Sequence, residues 1–296
     1  MLRTTSPAVD IPIGDVAAAL AAAPVTAEAT CEIPYSQHAT IEPHCVIAYF
    51  DDAGRLILRT STQVPFHVRR IVARVVGLDP ARIRVVKPRI GGGFGSKQEV
   101  LLEPVAALLA RRTGRPVRMT YTRQEVFVAS RTRHPMKVTV RLGASKDGTL
   151  HALEMGVLSN TGAYGAHALT VLSNVGSKTL PLYNKAPHVH FHGRAVYTNL
   201  PVAGAYRGYG ATQGYFALEV AMDKLAEKLG LDPVELRRRN HIRVGETSPI
   251  FEKIGEGREG TAQIVRSCAL EECLRIGAER IGWREKRGQR REEGPW

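Results

Sequence analysis

Two glycine-rich turns carry the side chains best suited to binding chemistry. The first, Arg89-Ile90-Gly91-Gly92-Gly93-Phe94-Gly95-Ser96-Lys97-Gln98, follows the period-two stretch Ile83-Arg84-Val85-Val86. It precedes Glu99 to Ala110, where Val100, Leu101, Pro104, Val105, Leu108 and Leu109 fall largely on one helical face. Glycines between strand and helix permit positive φ and let a ligand approach backbone N–H groups, while the helix N-terminus adds partial positive charge. An anionic cofactor suits such a loop. Neither nucleotide fingerprint fits, because G-x-G-x-x-G fails at Ser96 and the P-loop Gly-Lys-Ser/Thr is replaced by Ser96-Lys97-Gln98. Taken alone, a glycine turn without a ligand is the lesser of two open readings.

The second turn, Ala203-Gly204-Ala205-Tyr206-Arg207-Gly208-Tyr209-Gly210-Ala211-Thr212-Gln213-Gly214, again leads into a helix, with Phe216, Val220, Leu225 and Leu229 near helical spacing. Arg207 offers a rigid fork of donors for phosphate or oxo groups, and Tyr209 a flat face for a ring. A surface arginine with tyrosines filling core is the alternative for this turn by itself.

Together the two stretches resemble the molybdenum-binding subunit of the xanthine dehydrogenase and aldehyde oxidase family, in its first cofactor-binding half. The bacterial xanthine dehydrogenase subunits are the nearest in kind. Ser61-Thr62-Gln63-Val64-Pro65 looks like the family's S-T-Q-x-P loop. Arg131-Thr132-Arg133-His134-Pro135, Ser159-Asn160-Thr161-Gly162-Ala163-Tyr164 and Asp232-Pro233-Val234-Glu235-Leu236-Arg237-Arg238-Arg239-Asn240 follow in the family's order. The resemblance runs from about Gly14 to Trp296. It implies an α+β fold of mixed sheets and hairpins with packed helices, the molybdopterin-binding domain of molybdenum hydroxylases. The implied cofactor is molybdenum–molybdopterin in its cytosine dinucleotide form. It also implies a second molybdopterin-binding chain, an iron–sulfur subunit with 2Fe-2S clusters and an FAD subunit.

By the same resemblance, Gln63 hydrogen-bonds an oxygen ligand on molybdenum, Gly92, Gly93, Phe94 and Gly95 bring backbone to the cofactor, and Arg207 holds it through the second turn. Tyr209 stacks on the substrate. Gln98 takes the place of a substrate-binding glutamate of mammalian-type xanthine oxidases, where bacterial relatives also carry glutamine. Val175 and Gly176 stand in the region of a substrate-orienting arginine, with Lys178 nearby. No protein side chain ligates molybdenum in this family, whose pterin dithiolene sulfurs do so. Its general-base glutamate belongs to a second half beyond Trp296, so no catalytic residue is assigned to this chain. The implied activity is hydroxylation of a purine-like N-heterocycle with water as oxygen source, xanthine or hypoxanthine first. Aldehyde or nicotinate hydroxylation is the alternative, and carbon monoxide oxidation is disfavoured because the second turn lacks cysteine.

Length and composition suit part of such an enzyme. The 296 residues, 44% hydrophobic, can bury a sizeable core, and no apolar run is long enough for a membrane span. The expected division is an irregular lead over 1–13, a cofactor-binding domain over 14–245 as one unit or two α/β subdomains, and a linker with a basic C-terminal helix over 246–296. Forty-one Lys and Arg against 28 Asp and Glu give a net charge of +13, but acids interleave with the basic runs and no nucleic-acid motif accompanies them. Solvated helix faces and subunit contacts explain that balance. Two competing readings are a truncated, non-catalytic fragment and a basic module that binds anions or a partner through its arginine-rich tail, Arg284 to Arg291. Val16 to Ala23 behind Arg3 has the outline of a leader, but Asp10, Pro12 and Asp15 break the pattern and alanines make a weak apolar core, which points to the cytoplasm.

Cys31, Cys45, Cys268 and Cys273 are too sparse for an iron–sulfur or zinc site and read mostly as buried thiols. His134, His151 and His167 form no metalloprotease-type pair. His188-x-His190-x-His192 sets three imidazoles on one strand face, an arrangement that can bind zinc, though the run offers no clear further ligand.

The elements that must position these residues follow from pattern. A short alanine-rich helix starts after Asp15, and strands cover Val25 to Tyr35, Cys45 to Phe50 and Leu56 to Thr60, the last two as a hairpin across Asp51-Asp52-Ala53-Gly54. A helix after Pro65 buries Val68, Ile71, Val72 and Val75. Val117 to Tyr121, Met136 to Leu142, Leu150 to Leu158 and Val189 to Val196 read as further strands. Asn160 to Asn184 reads as a long loop or short helical pieces, and the chain after Val196 as mostly helix.

Overall fold

Alternation of apolar and polar residues sorts the strands into two sheets. The computed structural model describes residues 8–288. The first half of the chain forms β1 (Ala8–Ile13), α1 (Val16–Ala22), β2 (Val25–Ile33), β3 (Cys45–Phe50), β4 (Leu56–Thr60), α2 (Pro65–Val76), β5 (Ile83–Val86), α3 (Glu103–Thr113), β6 (Val117–Thr120) and α4 (Arg123–Ala129). The second half forms β7 (Met136–Ala144), β8 (Leu150–Gly162), α5 (Ala168–Thr179), β9 (His188–Tyr197), α6 (Ala211–Leu229), α7 (Pro233–Asn240), α8 (Ile250–Lys253), α9 (Leu270–Ile281) and α10 (Trp283–Lys286). Strands run in the order β1-β9-β8-β7-β2 in one sheet and β5-β4-β3-β6 in the other. Only β8/β9 and β4/β5 pair in parallel.

Each sheet has its own core. In the smaller, Val68, Val72 and Val76 of α2 recur every fourth residue and pack with Val46, Ala48, Leu56 and Leu58. In the larger, Val138, Val140, Leu142, Leu153, Met155 and Phe191 point from alternate strand positions toward Leu172 and Val175 of α5 and Leu218, Met222 and Leu225 of α6. The opposite face of that sheet is polar, and only its end lies under α1, whose Leu20 and Ala23 approach Gly143.

Several expectations change. The supposed irregular lead contains β1, an antiparallel edge partner of β9, because Val9, Ile11 and Ile13 alternate into the core and Pro12 is tolerable on an edge. Val75 is exposed, and the α2 stripe continues through Val76 instead. The helix after the first glycine turn starts at Glu103 and not Glu99, since Pro104 lacks an N–H and fits only a first turn. The supposed long loop over 160–184 contains α5, one twelve-residue helix. Its polar stripe, Thr170, Ser173, Asn174, Ser177 and Lys178, is mostly buried and built from Ser, Asn and Thr beside Gly176, residues that read as loop. Of the cysteines only Cys31 is buried, and Cys273 is exposed.

The basic runs are largely paired. Arg237 bridges Glu219 and Asp223, Arg238 meets Glu271, Arg239 meets Asp147, and Arg287 meets Asp232. Arg290 and Arg291 of the basic tail lie outside the described residues. No helix of the described residues is long and apolar enough to cross a membrane.

Candidate functional site

The first glycine turn is fixed by a buried ion pair below it and a glutamine beside it. Lys97, whose side chain is fully buried, reaches Glu42 at 2.6 Å, and the Gly91 N–H donates to the same carboxylate oxygen at 2.9 Å. Burial pushes the Glu42 carboxyl up, but the Lys97 and Gly91 hydrogen bonds prevail and hold it below the usual carboxylate range. Lys97 is therefore an anchor and does not reach into a ligand site. Gln63 holds the upper side, its Oε1 accepting from the Gly95 N–H at 2.9 Å and the Lys97 N–H at 3.3 Å. With that oxygen occupied, the Gln63 amide N–H groups are the donors left for a ligand. Gly93 is buried against Gln63, where a Cβ would lie 2.6 Å from Oε1.

The second turn lies directly across from the first. The Arg207 N–H donates to the Phe94 carbonyl at 2.9 Å, and a Cβ on Gly95 would meet the Ala205 carbonyl oxygen at 2.5 Å. Phe94 and Tyr209 both hold positive φ, 52° and 46°, one in each turn. Such strain in non-glycine residues collects where function over-determines the backbone. Arg133 braces the second turn from behind, donating to the Arg207 carbonyl at 2.8 Å and to Thr212 at 2.7 Å with its guanidinium 3.8 Å over the Tyr206 ring. His38 adds a contact from Nε2 to the Ala205 carbonyl at 2.8 Å.

Between the turns lies a cleft of about 470 Å³ lined by Gln63, Phe94, Gly95, Gln98, Tyr206, Arg207, Gly208, Tyr209 and Glu256. Six of the eight residues singled out from sequence thus share one site. Gly92 and Gly93 do not line it; Gly92 sits beside the Phe94 ring and Thr40, and Gly93 behind Gln63. The Arg207 guanidinium is exposed and has no carboxylate partner among the described residues, so its charge is available to an anion. The helix N-terminus expected to add positive charge does not serve here. The Glu103 carboxylate already accepts from the Leu101 N–H and from Thr60.

Val175 and Gly176 are not in the cleft. Val175 is fully buried, and Gly176 packs under the Phe191 ring. It is the residue ahead of α5, His167, that reaches the site. The Tyr209 hydroxyl shares a hydrogen bond with its Nδ1 at 2.5 Å, and its Nε2 lies 3.1 Å from Glu99, with Arg131 also 3.9 Å from that carboxylate. Burial works to push the Glu99 carboxyl up, yet the His167 hydrogen bond and the Arg131 charge outweigh it and hold the group low. Burial, with Glu256 and Glu99 adding negative charge, pushes the Tyr209 hydroxyl up to about 12. Sequence reasoning missed His167, Glu99 and Glu256. Glu99 stood next to the glycine turn, but nothing local tied it to His167.

A family profile described as the molybdopterin cofactor-binding domain matches residues 3–241. The chain is 45% identical over 285 residues to the probable hypoxanthine oxidase XdhD of Escherichia coli, a match covering 96% of this chain and 29% of that protein. With the nicotinate dehydrogenase large molybdopterin subunit of Eubacterium barkeri it shares 35% over 232 residues, 78% of this chain and 54% of that one. Among solved structures it superposes on the aldehyde oxidoreductase from Desulfovibrio gigas with a TM-score of 0.84 at 32% identity, covering 96% of this chain and 30% of that one. The chain spans less than a third of the length of the first of these relatives.

Proposed function

The chain belongs to the molybdopterin cofactor-binding domain family, and on that premise we propose that its cleft forms one side of the site for molybdenum–molybdopterin in a hydroxylase of purine-like N-heterocycles, xanthine or hypoxanthine first. The observation that carries this reading is the meeting of Gln63, Phe94, Gly95, Gln98, Arg207 and Tyr209, from three distant segments, around one cleft. The donor set suits the group. Gln63 has amide N–H groups to give to an oxo ligand, Gly95 brings backbone close, and Arg207 offers an unpaired cation to phosphate. When bound, the molybdenum–pterin group supplies the redox centre for hydroxylation with water as the oxygen source.

This chain's own residues orient and bind. Gln98, whose carboxamide can both donate and accept, suits a ring with carbonyl and N–H edges, and Tyr209 can stack on that ring for about 0.5–1.5 kcal/mol beyond burial. In this proposal the cofactor is the cytosine dinucleotide form, the general base comes from a second molybdopterin-binding chain, and 2Fe-2S and FAD subunits carry the electrons away in the cytoplasm. The names of the relatives, a hypoxanthine oxidase and a large molybdopterin subunit, support it. An aldehyde-type hydroxylase is the second reading, favoured by the likeness to aldehyde oxidoreductase.

The test is a complex rebuilt with its partner chains and assayed on xanthine, hypoxanthine, nicotinate and benzaldehyde under matched conditions. A purine should give the highest kcat/KM, and Gln98→Ala should lower it. Far faster benzaldehyde turnover, with Gln98→Ala leaving the heterocycle rates untouched, would overturn the purine assignment.

A further inference from the structure

The polar face of the five-stranded sheet holds a second group of chemically able side chains, remote in kind from the glycine-turn cleft. Of the three histidines on β9, His188 is used locally, its Nδ1 accepting from the Asp15 N–H at 3.0 Å. His190 and His192 remain, and the fold supplies what the sequence pattern lacked. Parallel pairing puts Glu154 of β8 level with His190 and Gly156 level with His192. One ligand atom each from Glu154, His190 and His192 lie within 4.8 Å of one another, with His192 Nε2 3.3 Å from Glu154 Oε1. The two imidazole rings are 4.9 Å apart. Gly156 makes this possible, because a Cβ there would lie 2.7 Å from His192 Cε1 and lift the ring off the strand.

We propose that Glu154, His190 and His192 bind a divalent transition metal of the zinc class. Two imidazoles and one carboxylate are the donor set of open zinc sites, and imidazole nitrogens select against the hard cations magnesium and calcium. The remaining neighbours fit around such an ion. Arg141 Nε holds the other Glu154 oxygen at 2.6 Å, leaving Oε1 as a single, oriented donor. Asp10 of β1 lies 2.6 Å from His190 Nε2, outside the three-ligand group, so it can orient that ring while water takes the fourth position. All three ligands are partly exposed, so their side chains can contract onto metal–ligand distances of about 2.0–2.2 Å without repacking core. The ion would tie β9 to β8.

The 296-residue chain, stripped with chelator, is titrated with cobalt(II) and read by its visible absorption, then by displacement with zinc. One equivalent should bind with the intense bands of a tetrahedral site, and zinc should raise the unfolding temperature. His192→Gln and Glu154→Gln should each weaken binding by at least about tenfold, while His151→Gln should leave it unchanged. Gly156→Ala keeps all three ligands and provides a check independent of their removal, with several-fold weaker binding expected. Affinity unchanged in His192→Gln and Glu154→Gln, or in Gly156→Ala, or no saturable cobalt spectrum, would overturn the proposal.

Discussion

Gly95→Ala is the sharpest probe of how the two glycine turns are held together. Gly95 combines φ of +104° with a position where a Cβ would sit 2.5 Å from the Ala205 carbonyl oxygen, 2.6 Å from its carbon and 2.9 Å from the Tyr206 nitrogen. All three are backbone atoms, so no side chain can swing away. The left-handed backbone costs about 1–2 kcal/mol for an L-residue, and forcing a methyl into a closed contact adds about 1–3 kcal/mol. A total of about 2–5 kcal/mol follows, much of it spent on parting the Phe94 carbonyl from the Arg207 N–H. Gly114 is the matched control. Its φ is +63° and a Cβ there meets nothing within 4 Å, so Gly114→Ala should cost only about 1 kcal/mol. The assay is urea unfolding of both variants beside the wild type, followed by molybdenum content of each in the rebuilt complex. Gly95→Ala should lose both stability and cofactor, and Gly114→Ala neither to any large degree. Equal midpoint shifts in the two variants would refute the argument that contact between turns, and not backbone conformation alone, makes glycine necessary at 95.

Three further predictions rest on separate observations. Removing Glu42 leaves the fully buried Lys97 ammonium without its partner, whereas removing Lys97 leaves a carboxylate that water can reach. Glu42→Gln should therefore cost toward the lower part of about 3–5 kcal/mol and Lys97→Met clearly less, and the reverse order in urea midpoints would contradict this. His134 is buried with Nε2 unpartnered, and burial lowers its pKa from 6.5 to about 4. The unfolded chain thus takes up the proton first, so stability is complete above pH 6.5 and falls by up to about 3 kcal/mol toward pH 4. His38 and His44, also lowered by burial, act in the same direction. His134→Gln should flatten that slope, and an unaltered slope would show the group is not buried neutral. In a rebuilt complex, Gln63→Ala should reduce turnover by the equivalent of about 2–4 kcal/mol, as for loss of a preorganised donor, while Arg207→Ala should chiefly reduce molybdenum content. Wild-type values in both variants would remove the roles assigned to these residues.

What could be read from sequence was what local chemistry writes into it. Strands β3, β4 and β5 emerge with the expected bounds because Val46 and Ala48 alternate with half-buried neighbours, Leu56-Ile57-Leu58 is an apolar run after a turn and Ile83 to Val86 keeps period two, and the two turns stand out by their glycines. The α+β architecture came from the resemblance to the molybdenum hydroxylases, and the two sheets with packed helices agree with it. What escaped was set by tertiary surroundings. The polar stripe of α5, with Ser173, Asn174 and Ser177, is buried and built from residues that favour turns, so its composition read as loop. Lys97 could equally have faced a phosphate, and only Glu42, 55 positions away, turns it inward. Glu154 gave no sign of being beside His190 and His192 until β8 and β9 were paired, since parallel register is not written in either strand alone.

Tyr209 shows how such non-local contacts shape the cleft itself. Its hydroxyl stays protonated, as burial and the nearby Glu256 and Glu99 push it up to about 12, and it shares a hydrogen bond with His167 Nδ1. The Nε2 of the same ring lies 3.1 Å from Glu99. The chain of contacts thus ends in a carboxylate held low. It also offsets the roughly 1–3 kcal/mol that a non-glycine residue incurs at positive φ, which explains how Tyr209 is kept at 46°. Since the hydroxyl is committed away from the cleft, Tyr209 has only its ring face to offer a bound molecule. Under the proposed function, reading of polar edges would then fall to Gln98, whose carboxamide has no hydrogen-bond partner among the described residues. The proposed planar heterocycle, with mixed donor and acceptor edges, would suit that division of labour better than a simple aldehyde, which has no second edge to read.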